Sequence, residues 1–140
     1  MKHLVWALVL FVIGCSKPTS ENLTHLNGYW EIESAVTKDG DKREYTINPT
    51  VDYFELKGNK GIRKKLMAQF DGTFLDAGNP AEPFEAIENE DGLVLRYTMP
   101  DAKWEEKVTK LDENKFEVKT NHGMTFTYKR YKPLLDETHE

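Results

Sequence analysis

Three serines, four histidines and one cysteine are the side chains best suited to nucleophilic or metal chemistry in this chain. Their spacing argues against catalysis. Ser16, Ser20 and Ser34 stand in no Gly-x-Ser-x-Gly setting, the sharp strand-to-helix turn that exposes a nucleophile. His3, His25, His122 and His139 are scattered, with His122 inside a turn signal, so no zinc triad is implied. Glu105 and Glu106 are adjacent, but neighbouring strand residues face opposite sides and cannot form one paired acid site. The expectation is a protein that is not an enzyme, with no metal and no cofactor.

Charge narrows the partners. The formal net charge is −5, and it becomes one unit more negative if Lys2 is removed with a leader. An acidic surface argues against nucleic acid and against electrostatic docking on anionic lipid. The densest basic stretch, Lys57, Lys60, Arg63, Lys64 and Lys65, reads as one solvated hairpin rather than a phosphate site.

Cys15 supports a different chemistry. It follows Lys2, an apolar run from Leu4 to Ile13, and closes the tetrad Val12-Ile13-Gly14-Cys15. A run of that length, at about 1.5 Å per residue, falls short of a bilayer core of about 30 Å, so it reads as the apolar region of a secretory signal. The tetrad resembles the lipobox of bacterial lipoproteins. That resemblance implies removal of residues 1–14, acylation of Cys15, and attachment to a membrane of the bacterial cell envelope. More than one acyl chain, at about 0.8 kcal/mol per buried methylene, makes such attachment lasting. Ser16 after the cysteine, in place of Asp, leaves open the outer membrane or the periplasmic face of a Gram-negative cell. Residues 15–22 are expected as the lipidated cysteine and a flexible tether, and 133–140 as an acidic C-terminal tail.

The elements that would position any site are strands. Turn signals recur at Lys38-Asp39-Gly40-Asp41, Gly58-Asn59-Lys60-Gly61, Asp71-Gly72, Asn89-Glu90-Asp91-Gly92, Asp112-Glu113-Asn114 and Asn121-His122-Gly123. Between them, apolar residues alternate with polar ones. Met124, Phe126, Tyr128 and Arg130 share one face, as do Leu93, Leu95, Tyr97 and Met99, and Trp30, Ile32, Ser34 and Val36. The pattern predicts strands at 29–37, 42–47, 51–57, 61–70, 83–89, 92–98, 103–111, 115–120 and 123–131, with a short piece at 73–75. Outside the leader no segment carries helical periodicity. An all-β, antiparallel up-and-down meander of about 8–9 strands, closed into a barrel over residues 23–132, removes its own sheet edges.

Leu26-Asn27-Gly28-Tyr29-Trp30-Glu31-Ile32 resembles the Gly-x-Trp opening of the first strand in lipocalins and in lipocalin-like domains of bacterial lipoproteins. The resemblance implies a lipocalin-like β-barrel in which Trp30 closes one end and Arg130 lies across its indole. Leu23 and Leu26 would form a helical turn plugging that end. A guanidinium over an indole gains roughly 0.5–2 kcal/mol. The inner face would then carry Tyr97, Trp104, Glu106, Phe126 and Tyr128 as candidate ligand-binding residues, with Lys64 as a further polar contact. Two outcomes stay open: a modest pocket for a small apolar ligand, or a core filled by its own side chains. In the second, the barrel is a platform for a protein partner, met by the basic hairpin or by Tyr29, Tyr45 and Tyr131.

Overall fold

The computed structural model describes residues 17–133; Cys15, the leader and residues 134–140 lie outside them. A 3-10 helix (Ser20–Leu26) leads into ten strands: β1 Gly28–Val36, β2 Lys42–Glu44, β3 Thr50–Lys57, β4 Lys60–Ala68, β5 Phe74–Asp76, β6 Glu82–Asn89, β7 Gly92–Thr98, β8 Lys103–Leu111, β9 Lys115–Thr120 and β10 Thr125–Arg130. Eight of them close into an antiparallel barrel in the order β1, β3, β4, β6, β7, β8, β9, β10, and β10 pairs back onto β1 from Trp30↔Arg130 to Val36↔Thr125. Once β2 and β5 are set aside, every barrel strand neighbours its predecessor, which is the up-and-down meander expected from the turn spacing.

The two remaining strands differ from expectation. The segment expected at 42–47 forms only the three residues of β2, paired to the far end of β1 and outside the barrel path. The short piece near 73–75 is a strand, β5, paired to the far end of β4. A bulge between Ile32 and Ser34 shifts the phase of β1, so Ala35 rather than Val36 sits opposite the inward Phe126.

Local chemistry sets the reversals. Asp112 Oδ1 accepts from the backbone N–H of Asn114 and Lys115, Asp71 Oδ1 from Thr73, and Asn89 Oδ1 from Asp91. These are side-chain turns that hold the hairpins without help from packing. The 3-10 helix begins at Ser20, inside the stretch expected as tether, with Asn22 Oδ1 accepting from Thr19 N at 2.9 Å. It drops Leu23 and Leu26 into one end of the barrel and is tied to β6 by Ser20 N donating to Glu88. That end is closed.

Inside, a chain of ring contacts runs from the closed end: Trp30 to Phe116 at 5.5 Å, Phe116 to Phe54 at 5.5 Å, Phe54 to Phe84 at 6.0 Å, Phe84 to Tyr97 at 5.4 Å, and Tyr97 to Trp104 at 4.9 Å. Such tilted and offset pairs are favourable beyond the area they bury. Outside, Tyr29 and Tyr53 face away from the lumen. Tyr29 stacks on Phe74 of β5 at 4.2 Å, and Tyr131 meets the same ring edge-on. Two of the three tyrosines expected to await a partner are thus used in packing β5 onto the wall.

Gly61 shows why the lumen tolerates little change. A Cβ there would stand 2.5 Å from Glu55 O and 2.7 Å from the Phe84 ring. The backbone oxygen cannot yield, so Gly61→Ala is expected to cost about 1–3 kcal/mol through overpacking, read as a lower urea midpoint with unchanged slope.

Candidate functional site

Two constellations occupy the two ends of the barrel. At the closed end, Arg130 Cζ lies 3.8 Å from the centre of the fully buried Trp30 ring. Its guanidinium donates to the carbonyls of Glu113 at 2.8 Å, Asn27 at 2.9 Å and His25 at 2.6 Å. Trp30 Nε1 donates to Leu26 O at 2.9 Å. The guanidinium is attracted to the negative face of the ring, and its N–H groups are satisfied by carbonyls at the helix end, His25 and Asn27, and in the β8–β9 turn, Glu113. Gly28 is required here twice. Its φ of +115° is unfavourable for side chains, and a Cβ would meet Arg130 Nη1 at 2.9 Å. This end is a lock, not a pocket.

The other end is polar within. On β4 the residues in phase with Gly61 are Arg63, Lys65 and Met67, so Arg63 and Lys65 point into the lumen. Arg63 pairs with Glu82 through Nε at 3.2 Å and Nη2 at 3.3 Å, and with Glu106 through Nη1 at 3.4 Å. Its Cζ also sits 4.7 Å from the centre of the Tyr97 ring, which stacks on Trp104 with a 6° interplanar angle. Lys65 pairs with Asp52 at 3.3 Å. Two polar atoms in this region, Tyr97 Oη and Glu106 Oε2, are buried with no hydrogen-bond partner among the described residues. A buried polar atom left so costs about 1–3 kcal/mol, so it calls for an explanation.

Tyr97, Trp104 and Glu106 are therefore brought together. Phe126 and Tyr128 stand on the β10 part of the wall, Tyr128 buried against Phe116 at 5.3 Å and Phe126 half-buried. Lys64 points outward, paired with Asp76 at 2.6 Å, which corrects its expected place in the lumen. The basic stretch is likewise not a solvated hairpin throughout, because Arg63 is held inside the barrel, while Lys65, still partly in water, turns in towards Asp52. Neither these two cations nor Asp52 and Glu82 were among the residues expected in the lumen. One signal was present: Asp52 shares a face with Phe54 and Leu56, and a charge in an apolar phase needs a buried partner.

Burial pushes the Glu106 carboxyl above its ordinary value of 4.5, with Glu82 and Asp52 adding to the shift and Arg63 opposing it. Burial likewise raises the Tyr97 and Tyr128 phenols, so both are neutral donors at physiological pH. A raised carboxyl stabilises the fold fully below the unfolded value and loses that contribution as pH rises through the folded one. Glu33, lowered by its hydrogen bond from Lys115, and Asp112, lowered by backbone N–H groups, act the opposite way: their contribution is lost as pH falls. Melting curves from about pH 4 to about pH 8 should therefore show Glu106→Gln gaining on the parent towards neutral pH and losing that advantage near 4.5. A pH-independent difference would contradict the raised carboxyl.

The clefts on the outer surface do not compete with this region. One of about 430 Å³ lies among Glu31, Asn114, Lys115, Lys129, Arg130 and Lys132, but Lys115 and Lys129 are paired there with Glu33 and Glu31. Among the described residues no group of three or more His, Cys, Asp or Glu side chains is placed to hold a metal ion, and no helix is long and apolar enough to cross a membrane.

The geometry defines a class: closed, eight-stranded, up-and-down β-barrels plugged at one end by a helical turn. Among solved structures the chain is similar to a lipocalin-like protein from Bacteroides uniformis, at 11% identity over 76% of this chain and 99% of that one, with a TM-score of 0.48. It is also similar to lobster apocrustacyanin A1, at 17% identity over 84% of this chain and 67% of that one, with a TM-score of 0.46. No protein-family model matches the chain, and no curated protein sequence matches it.

Proposed function

We propose that this chain is a lipid-anchored, lipocalin-like lipoprotein of the bacterial cell envelope that binds a small molecule with an apolar body in the upper part of its barrel, without catalysing a reaction. The observation that carries the binding is the pair of buried, unpartnered atoms, Tyr97 Oη and Glu106 Oε2, in a barrel interior where the half-buried Trp104 stacks on Tyr97 and the half-buried Phe126 packs against the same core. Apolar walls with a few fixed polar groups are what small-molecule sites are made of. Titration with a panel of apolar dyes and short-chain amphiphiles should change Trp104 emission, and Trp104→Phe should abolish the change. Silence across the panel rejects the reading.

The anchor rests on Lys2, the apolar run Leu4 to Ile13 and the tetrad ending at Cys15. Cells fed a labelled acyl precursor are expected to label the parent protein and not Cys15→Ala. Equal labelling of both, or none of either, rejects it. With an anchor at Cys15, the closed end carrying Ser20 faces the membrane and the polar end faces away.

A second reading is favoured by the continuous ring contacts from Trp30 to Trp104: a barrel whose core is filled by its own side chains and whose outside meets a protein partner. Envelope crosslinking that captures a stoichiometric partner while the dye panel stays silent supports this reading over the first.

A further inference from the structure

We infer that the upper lumen is a receptor site for a primary or secondary ammonium group carried on a short apolar chain, held by Glu106 and Tyr97. This rests on the small-molecule reading above and names its chemistry. Glu106 is nearly fully buried, and Arg63 holds its Oε1 at 3.4 Å, which orients the carboxylate and leaves Oε2 unpartnered. Tyr97 is fully buried, with Trp104 stacked on its ring and Arg63 over it, so its hydroxyl is positioned rather than mobile. Both free atoms accept hydrogen bonds, and an ammonium brings the two or more donors needed to bridge them.

Charge chooses among head groups. In the upper lumen two cations, Arg63 and Lys65, face three carboxylates, Asp52, Glu82 and Glu106. Lys65 belongs to Asp52, and Arg63 is shared between Glu82 and Glu106, with its two-point contact going to Glu82. The uncompensated negative charge therefore lies on Glu106. A carboxylate ligand would add to it. An alcohol could satisfy Tyr97 and Glu106 as donor and acceptor but would leave the charge buried. An ammonium neutralises the cluster, and its charge-assisted bonds are roughly twice as strong as neutral ones. Trp104 and Phe126, both half-buried, then offer the surface for the apolar chain on its way to the mouth.

Three probes with the same chain separate the possibilities: hexylammonium, hexanol and hexanoate, titrated into the purified protein by calorimetry and Trp104 fluorescence. Hexylammonium is expected to bind at least about tenfold more tightly than hexanol, with hexanoate weakest. Glu106→Gln should reduce hexylammonium to the affinity of hexanol while changing hexanol by less than about twofold, and Tyr97→Phe should weaken the ammonium by about three- to tenfold. Should Glu106→Gln not fold, Glu106→Asp keeps the charge and withdraws it, and an intermediate loss is expected. Hexanol binding as tightly as hexylammonium, or an affinity for the ammonium unchanged in both Glu106 variants, overturns the inference and leaves the small-molecule reading standing. No binding of any probe, with the dye panel silent too, removes both.

Discussion

Arg63→Ala is expected to lower stability by about 3–5 kcal/mol, the largest loss of any single polar substitution in this barrel. The guanidinium is the shared partner of Glu82 and Glu106, and its removal leaves Glu106, only 5% exposed, as a buried carboxylate with no cation beside it. The magnitude follows from that asymmetry, since breaking a buried pair costs far more than the pair contributes over an apolar replacement. Two controls identify the cause. The double change Arg63→Met with Glu106→Gln should recover a large part of the loss, because it removes the stranded charge and keeps the volume. The loss in Arg63→Ala should also shrink on acidification as Glu106 takes up its proton. A double variant no more stable than Arg63→Ala would show that packing against Tyr97, rather than charge, sets the cost.

Trp30→Ala should cost a similar amount, about 3–5 kcal/mol, for an apolar reason. The indole is fully buried, touches Phe116, bonds Leu26 O and forms the surface on which Arg130 lies. Its removal opens a cavity under the helix and strips the aromatic face from a guanidinium. Arg130→Met alone is milder, about 2 kcal/mol, because the carbonyls of His25, Asn27 and Glu113 lie close enough to the rim to find water. The two residues touch, so their effects should not add. A double-mutant cycle is expected to show a coupling of about 0.5–3 kcal/mol, and strict additivity would mean that Arg130 acts only through the carbonyls.

Most of the barrel was legible in the chain because hairpins are local. Turn residues sit beside the strands they reverse, and Leu93-Leu95-Tyr97, Phe116-Val118 and Phe126-Tyr128 reveal their inward face by apolar phase alone. The errors fall where that phase is silent or broken. On β1 the bulge after Ile32 is a register event that no alternation records, and it moved Ala35 inward in place of Val36. On β4 the run Ile62-Arg63-Lys64-Lys65 has charges in both phases, so nothing local says which cations go inside. The pairing Gly61↔Phe84 decides it, by fixing Arg63 and Lys65 on the side of the ring contacts and Lys64 on the other. The strand expected over 42–47 ended at Glu44: Tyr45 N still donates to Glu33 O at 3.0 Å, but the next carbonyl of β1, Ile32 O, accepts from the Asn48 side chain at 2.9 Å rather than from a strand backbone.

Taken alone, the chain determined its alternation, its reversals, and the positions of Trp30 and Arg130 in the first and last strands, because each is written in residues close together or in a short pattern. Only the tertiary structure decided what the lumen holds. Asp52, Arg63, Lys65, Glu82 and Glu106 come from four strands spread over more than fifty residues of chain, and closure of the barrel is what takes Asp52, Arg63 and Glu106 out of water and brings the more exposed Lys65 and Glu82 against them. Burial turns those ordinary surface charges into a polar interior, and leaves Tyr97 and Glu106 each with one atom unpaired.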